Sequence, residues 1–159
     1  MNNVKLLGVD LNPGFVAEFN ANSDSNSSMQ LGLIDSPLDD LKLDGLVSVV
    51  SVLTLDRLAM PIQLIQNMST FSGYKILATL LPVNPVDDNP SRQADPIIYT
   101  RFDQKIVPGN NAEEDQRCLR ELLSSTWESE IQFSEVDYVV SSAGDSQEYK
   151  LGIFTNVLN

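Results

Sequence analysis

The sequence predicts a mainly β protein, an antiparallel two-sheet sandwich with a jelly-roll-like number of strands and two inserted helices. Apolar residues recur at the period of two over most of the chain, clusters of turn-forming residues separate these runs, and only two stretches follow a helical period. The 159 residues, 42% of them hydrophobic, suffice for one core, so we expect a single domain spanning 1–159. The alternative is an α+β fold, with one antiparallel sheet and two helices on one face.

Eight strands are predicted from these alternating runs. Asn12-Pro13-Gly14 has the composition of a type II turn and predicts a hairpin between the first two strands, and residues 142–146 predict a second hairpin between the last two. Such local antiparallel pairs disfavour a parallel α/β sheet. The predicted strands are 4–10, 14–20, 29–34, 46–54, 74–83, 97–107, 131–141 and 148–158.

Two helices interrupt this pattern. The first is predicted over 57–69, where Pro61 must lie in the first turn or kink the helix. The second is predicted over 112–126, because Asn111 is a suitable N-cap and Glu114 stands at the capping-box position. Its buried stripe consists of Cys118, Leu119, Leu122 and Leu123.

The composition removes several classes of function. The chain has no histidine and one cysteine, which excludes a Ser-His-Asp triad, imidazole acid–base catalysis, a Cys-His zinc site and an intrachain disulfide. The motifs GxGxxG and GxxxxGK are absent, so nucleotide binding has no support. We therefore expect a protein that is not an enzyme and that needs no cofactor and no metal ion.

One local pattern suggests a metal-dependent activity instead. Leu6 to Gly14 reads as an apolar strand that ends in Asp10 and turns tightly into a second strand. This pattern resembles the first hairpin of RNase H-like nucleases and actin-like ATPases. The resemblance implies that Asp10 would hold a metal ion in a carboxylate-metal hydrolase. The acidic stretches 39–44 and 87–95 could bind Ca²⁺ weakly, although solvated loop charge is the favoured interpretation.

Negative charge is concentrated in one quarter of the chain. The 22 acidic and 10 basic side chains give a net charge of −12, and residues 112–148 contain ten acids against two bases, a balance of −8. If these acids share a face, they would steer and orient a basic partner. The predicted interaction surface comprises Glu113, Glu114, Asp115, Glu128, Glu130, Glu135 and Asp137.

These observations favour a structural or assembly protein, such as a capsid-like component of a virion, a phage or another particle. We expect it to act through protein–protein contacts as a homo-oligomer. The alternative is an acidic inhibitor or immunity protein that mimics nucleic acid and blocks a basic protein surface. The acidic balance disfavours direct contact with nucleic acid or membranes. A cytoplasmic or particle-bound location is expected, because the first residues lack the apolar run of a signal peptide.

Overall fold

The computed structural model describes residues 5–32, 47–55, 58, 61–82, 112–142 and 145–158. Their content is mixed: three helices accompany one sheet of two strands and one of four. The elements in chain order are β1 (Leu6–Asp10), α1 (Pro13–Asn22), β2 (Ser27–Leu31), β3 (Val49–Val52), α2 (Pro61–Ser69), β4 (Lys75–Pro82), α3 (Ala112–Trp127), β5 (Ile131–Ser142) and β6 (Asp145–Asn156).

The N-terminal part is a β-α-β unit whose two strands run parallel. β1 pairs with β2 in a register from Leu6↔Ser27 to Asp10↔Leu31, and α1 forms the crossover between them. The Asn20 side chain ties α1 to β2, since its amide donates to the Met29 carbonyl at 2.8 Å and accepts the Met29 N–H at 2.7 Å. No residue of α1 is buried.

The predicted second strand, 14–20, is wrong, because these residues form α1. The Asn12 side chain caps the helix by accepting the N–H groups of Gly14 and Phe15, and Pro13 occupies the first helical position. Proline is favoured there because it has no N–H to leave unpaired. The same three residues therefore begin a helix where a hairpin turn was predicted. The resemblance to an RNase H-like first hairpin is therefore wrong, because it required a hairpin at these residues.

The larger sheet has the strand order β3-β4-β6-β5. β3 and β4 are parallel, with α2 as the connecting helix, whereas β6 is antiparallel to both of its neighbours. The prediction that the sheet contains no parallel strands is thus wrong for β1-β2 and for β3-β4. It is based on short turns, which carry no information about strands that are joined through a helix. The last predicted hairpin is confirmed by the pair Ser142↔Asp145. The predicted strand 97–107 lies outside the described residues.

Both α2 and α3 pack on one face of the four-stranded sheet. The indole N–H of Trp127, at the end of α3, donates to the Ile65 carbonyl of α2 at 3.0 Å. α2 begins at Pro61, so the proline lies in the first turn, one of the two predicted placements, and the helix begins later than the predicted residue 57. The mixed content fits a mainly β sandwich only loosely and is compatible with the α+β alternative. The core consists of Leu55, Leu58, Leu64, Ile65, Met68, Leu77, Leu81, Leu119, Leu123, Trp127, Ile131 and Phe154.

Candidate functional site

The carboxyl ends of β1 and β2 form one edge of the N-terminal unit. Asp10 is the last residue of β1, and its backbone carbonyl accepts the Gly32 N–H at 3.0 Å, immediately after β2. A side chain at position 32 would approach Val9, because an added Cβ would lie 3.1 Å from its Cγ1. In open α/β sheets, ligands bind in the crevice outside the carboxyl ends of the strands. This edge is therefore the candidate site.

The carboxylate of Asp10 is held in place at this edge. Its Oδ1 accepts the N–H of Asn12 at 2.7 Å, in a turn that leads directly into α1. Within the described part of the chain, no other hydrogen bond to this carboxylate is present. Its second oxygen is therefore available to a donor from a ligand.

The N-terminus of α1 offers no free backbone donor in its first turn. Asn12 accepts the N–H groups of Gly14 at 3.0 Å and Phe15 at 3.3 Å, and its carbonyl accepts the Val16 N–H at 3.0 Å. Pro13 has no N–H. Helix N-termini bind phosphate through such donors, which are all engaged here. The only cation between residues 5 and 32 is Lys5, which precedes β1 at the opposite end of the strand. This edge is therefore poorly suited to phosphate.

Exposed apolar side chains lie close to Asp10 in the chain or pair with it across the sheet. Leu11 and Phe15 flank the start of α1, and Leu31 is the last residue of β2. All three are more exposed than is usual for large apolar groups in a well-packed unit. Between residues 5 and 32, the edge thus combines one carboxylate with apolar surface and no positive charge.

A strained backbone conformation follows β3. Leu53, the first residue after this strand, has a φ of 53°, and its N–H donates to the Ala78 carbonyl of β4 at 2.9 Å. The left-handed conformation costs a residue with a side chain about 1–2 kcal/mol. Such strain is concentrated at functional sites. The carboxyl end of β3 is therefore a second candidate segment.

The structure places the predicted acidic interaction residues at the two ends of α3 and on β5. Glu113, Glu114 and Asp115 lie in the first turn of α3, whereas Glu128 and Glu130 follow its other end, about 22 Å away at 1.5 Å per helical residue. These two groups therefore lie at opposite ends of α3.

The remaining two acids of that surface lie together on β5. Lys150 Nζ lies 2.5 Å from Asp137 Oδ1 and 3.5 Å from Glu135 Oε1. The hydrogen bond to Asp137 raises the pKa of Lys150 above its usual 10.5, and the charge of Glu135 adds to this effect. One lysine is thus shared by two exposed carboxylates.

The described residues contain no group of three or more acidic or cysteine side chains arranged to hold a metal ion. The acidic stretches 39–44 and 87–95 lie outside those residues. Among the helices described, none is long and apolar enough to cross a membrane.

The chain matches no protein-family model and no curated protein. It shares its fold with solved structures of LepI in complex with SAM, with a TM-score of 0.53 and 14% identity, and of a LepI variant in complex with SAH and a substrate analogue, with 0.51 and 13%. A structure described as a pericyclic reaction enzyme gives 0.53 and 14%. Each match covers 96% of this chain but 36% of the other, so this chain spans about a third of their length.

These matches overturn the interpretation as a non-enzymatic virion or capsid-like protein. The structures that share the fold are enzymes, and the architecture they share is not that of a capsid sandwich. The error has a physical reason. The absence of histidine removes imidazole catalysis only, whereas a bound organic ligand can bring the reactive group itself. The absent GxGxxG and GxxxxGK motifs likewise argue only against ligands that are recognised through phosphates.

Proposed function

We propose that this chain is the SAM-binding domain of an enzyme, where SAM is S-adenosylmethionine. The observation that carries the proposal is the junction of β1 and α1, where the Asp10 carboxylate keeps one oxygen available beside exposed apolar side chains. The fold shared with LepI bound to SAM and to SAH supports it.

The chemistry of this edge suits SAM better than a phosphorylated nucleotide. SAM contains adenine, ribose, a sulfonium and an amino-acid group, but no phosphate. The carboxylate of Asp10 suits a ribose hydroxyl or an ammonium group as hydrogen-bond donor. Leu11, Phe15 and Leu31 offer apolar surface to adenine. The engaged N-terminus of α1, which argues against phosphate, does not oppose a ligand without phosphate.

The absence of histidine is compatible with this chemistry. Bound SAM supplies a methyl group on a sulfonium that departs as a neutral thioether, so its leaving group needs no general acid. The chain's own residues would bind and orient the ligand, with Asp10 as the polar anchor. The reaction and its acceptor belong to the enzyme as a whole.

Titration calorimetry with SAM and SAH tests the proposal. We expect both to bind, and Asp10→Asn to raise Kd roughly 10- to 100-fold, because a hydrogen bond to a charged group contributes about 1.5–3 kcal/mol. Asp24→Asn is the matched control, since Asp24 accepts the Asn26 N–H at 3.0 Å in a similar turn before β2. It should leave Kd unchanged, and ATP should not bind. Absence of SAM and SAH binding, or equal losses in both variants, would refute the proposal.

A further inference from the structure

β5 forms the outer edge of the four-stranded sheet. It is a strand of twelve residues that pairs with β6 on one side, and no described strand pairs with its other side. The backbone N–H and C=O groups on a free edge can pair with another chain. Addition of an extended peptide to such an edge is a common mode of recognition.

The carboxyl-terminal part of β5 extends beyond the described part of β4. Pairing between β4 and β6 ends at Pro82↔Tyr149, whereas β5 and β6 continue for four more pairs, from Val139↔Glu148 to Ser142↔Asp145. This extension is about 14 Å long at 3.4 Å per residue. An isolated two-stranded ribbon is marginally stable in water. A third strand along β5 would therefore stabilise it.

The side chains of β5 indicate what kind of strand would fit. Phe133 faces the core, with its ring centroid 5.0 Å from that of Phe154, so Glu135 and Asp137 lie on the same face of the sheet. Val136 lies on the opposite face and is 56% exposed. The edge thus presents an acidic residue, an apolar residue and a second acidic residue in succession.

Charge at this position favours a cationic partner. Lys150 is the one cation in contact with Glu135 and Asp137 among the described residues, which leaves a net charge of −1 for the three groups. The Asp137 side chain is 84% exposed despite this contact. Opposite charges at facing positions of neighbouring strands stabilise a sheet.

We propose that β5 binds an extended segment of another protein as a fifth strand, and that this segment alternates basic, apolar and basic residues. Its basic side chains would lie opposite Glu135 and Asp137, and its apolar side chain opposite Val136. The interaction does not depend on the proposed binding of SAM.

Fluorescence anisotropy with the labelled peptide Lys-Val-Lys-Val-Lys tests this site. The control peptide Lys-Pro-Lys-Pro-Lys has the same charge but lacks two of the backbone donors. We expect the valine peptide to bind at least tenfold more tightly, because proline removes ladder hydrogen bonds. In hydrogen exchange, the valine peptide should slow the exchange of β5 amides in the unaltered protein. Equal affinities for both peptides, or unchanged exchange in β5, would overturn the proposal.

A pair of double variants tests the role of charge. Glu135→Gln with Asp137→Asn should weaken binding of the valine peptide at least fivefold. The control removes the same charge elsewhere, through Glu128→Gln with Glu130→Gln, and should change Kd less than twofold. Circular dichroism verifies that both variants are folded. Equal effects of the two double variants would indicate general electrostatic attraction and would contradict the proposed site.

Discussion

The N-terminal β-α-β unit and the four-stranded sheet are stabilised very differently. Between residues 5 and 32 every side chain is exposed or half-buried. In contrast, Leu77 and Phe154 of the larger sheet and Ile65 and Leu123 of its helices are fully buried together. Full burial of such a side chain contributes about 1.5–3 kcal/mol. The larger sheet is therefore the stable scaffold, and the proposed site lies on the less stable unit.

This difference suggests that ligand binding and local order are coupled in the N-terminal unit. Its conformation depends on hydrogen bonds rather than on buried side chains, namely the ladder between β1 and β2, the Asn12 cap and the contacts between Asn20 and Met29. Segments with few buried contacts open at low free energy, and a ligand that binds the closed form stabilises it. We therefore expect the site to be ordered further when it is occupied.

Replacement of one phenylalanine in each region should give the largest difference in the free energy of unfolding between the two regions. Phe154→Ala removes a fully buried ring and should lower the free energy of unfolding by about 3–5 kcal/mol. Phe15→Ala, at a residue 49% exposed in α1, should lower it by less than about 1 kcal/mol. Urea unfolding followed by circular dichroism measures both. Similar losses for the two variants would show that the N-terminal unit has a core of comparable strength.

Removal of the cap of α1 should have a smaller and local effect. Asn12→Ala leaves the N–H groups of Gly14 and Phe15 without their acceptor and should destabilise the helix by about 1 kcal/mol. Hydrogen exchange at these two amides should accelerate about fivefold, while amides of β4 should not change. Asn12→Asp retains a capping oxygen and serves as the control. Faster exchange in β4 would mean that the two regions unfold together.

The smallest expected effects are at two lysines of the larger sheet, Lys75 and Lys150, whose contributions to stability depend on pH in opposite ways. Burial lowers the pKa of Lys75 below 10.5, so its charged form is disfavoured in the folded protein. Lys75→Met should raise the melting temperature at pH 7, and this gain should shrink as the pH rises through the lowered pKa toward 10.5.

Lys150 serves as the control for Lys75, because its raised pKa favours the charged form. Lys150→Met should lower the melting temperature at pH 7, and this loss should diminish only as the pH rises above 10.5. Thermal unfolding between pH 7 and 11 tests both expectations. A gain for Lys75→Met that does not vary with pH would show that desolvation of the charge is not its cause.

Strong local signals explain which elements could be predicted from the sequence. α3 has acidic residues in its first turn and a regular apolar stripe, and the structure confirms it. α1 has a weak apolar stripe and no buried residue. The alternate spacing of Phe15, Ala17 and Phe19 is therefore equally consistent with a strand. In such a segment the residues at its start determine whether a helix or a strand forms. Asn12-Pro13 suits both a turn and the start of a helix.

The candidate site was partly visible in the sequence. In the sequence, Asp10 is a candidate site residue because it ends an apolar strand. In the structure it lies at the carboxyl end of β1, where ligands bind in α/β folds. The chemistry assigned to it depended on a hairpin that does not exist. Parallel pairing of β1 with β2 arises from contacts between segments separated by a helix, which no turn motif encodes. Leu53 gave no signal, because leucine is an uncommon residue at positive φ.

Hydrogen exchange with and without SAH tests most directly whether the N-terminal unit binds the ligand. SAH should slow exchange of amides from Asp10 to Val16 and in β2, while amides of β4 and β6 in the stable scaffold should change little. At an SAH concentration near the Kd of the unaltered protein, protection should fall sharply in Asp10→Asn and persist in Asp24→Asn. Protection confined to the four-stranded sheet, or none at saturating SAH, would contradict the assignment of the site to the carboxyl end of β1.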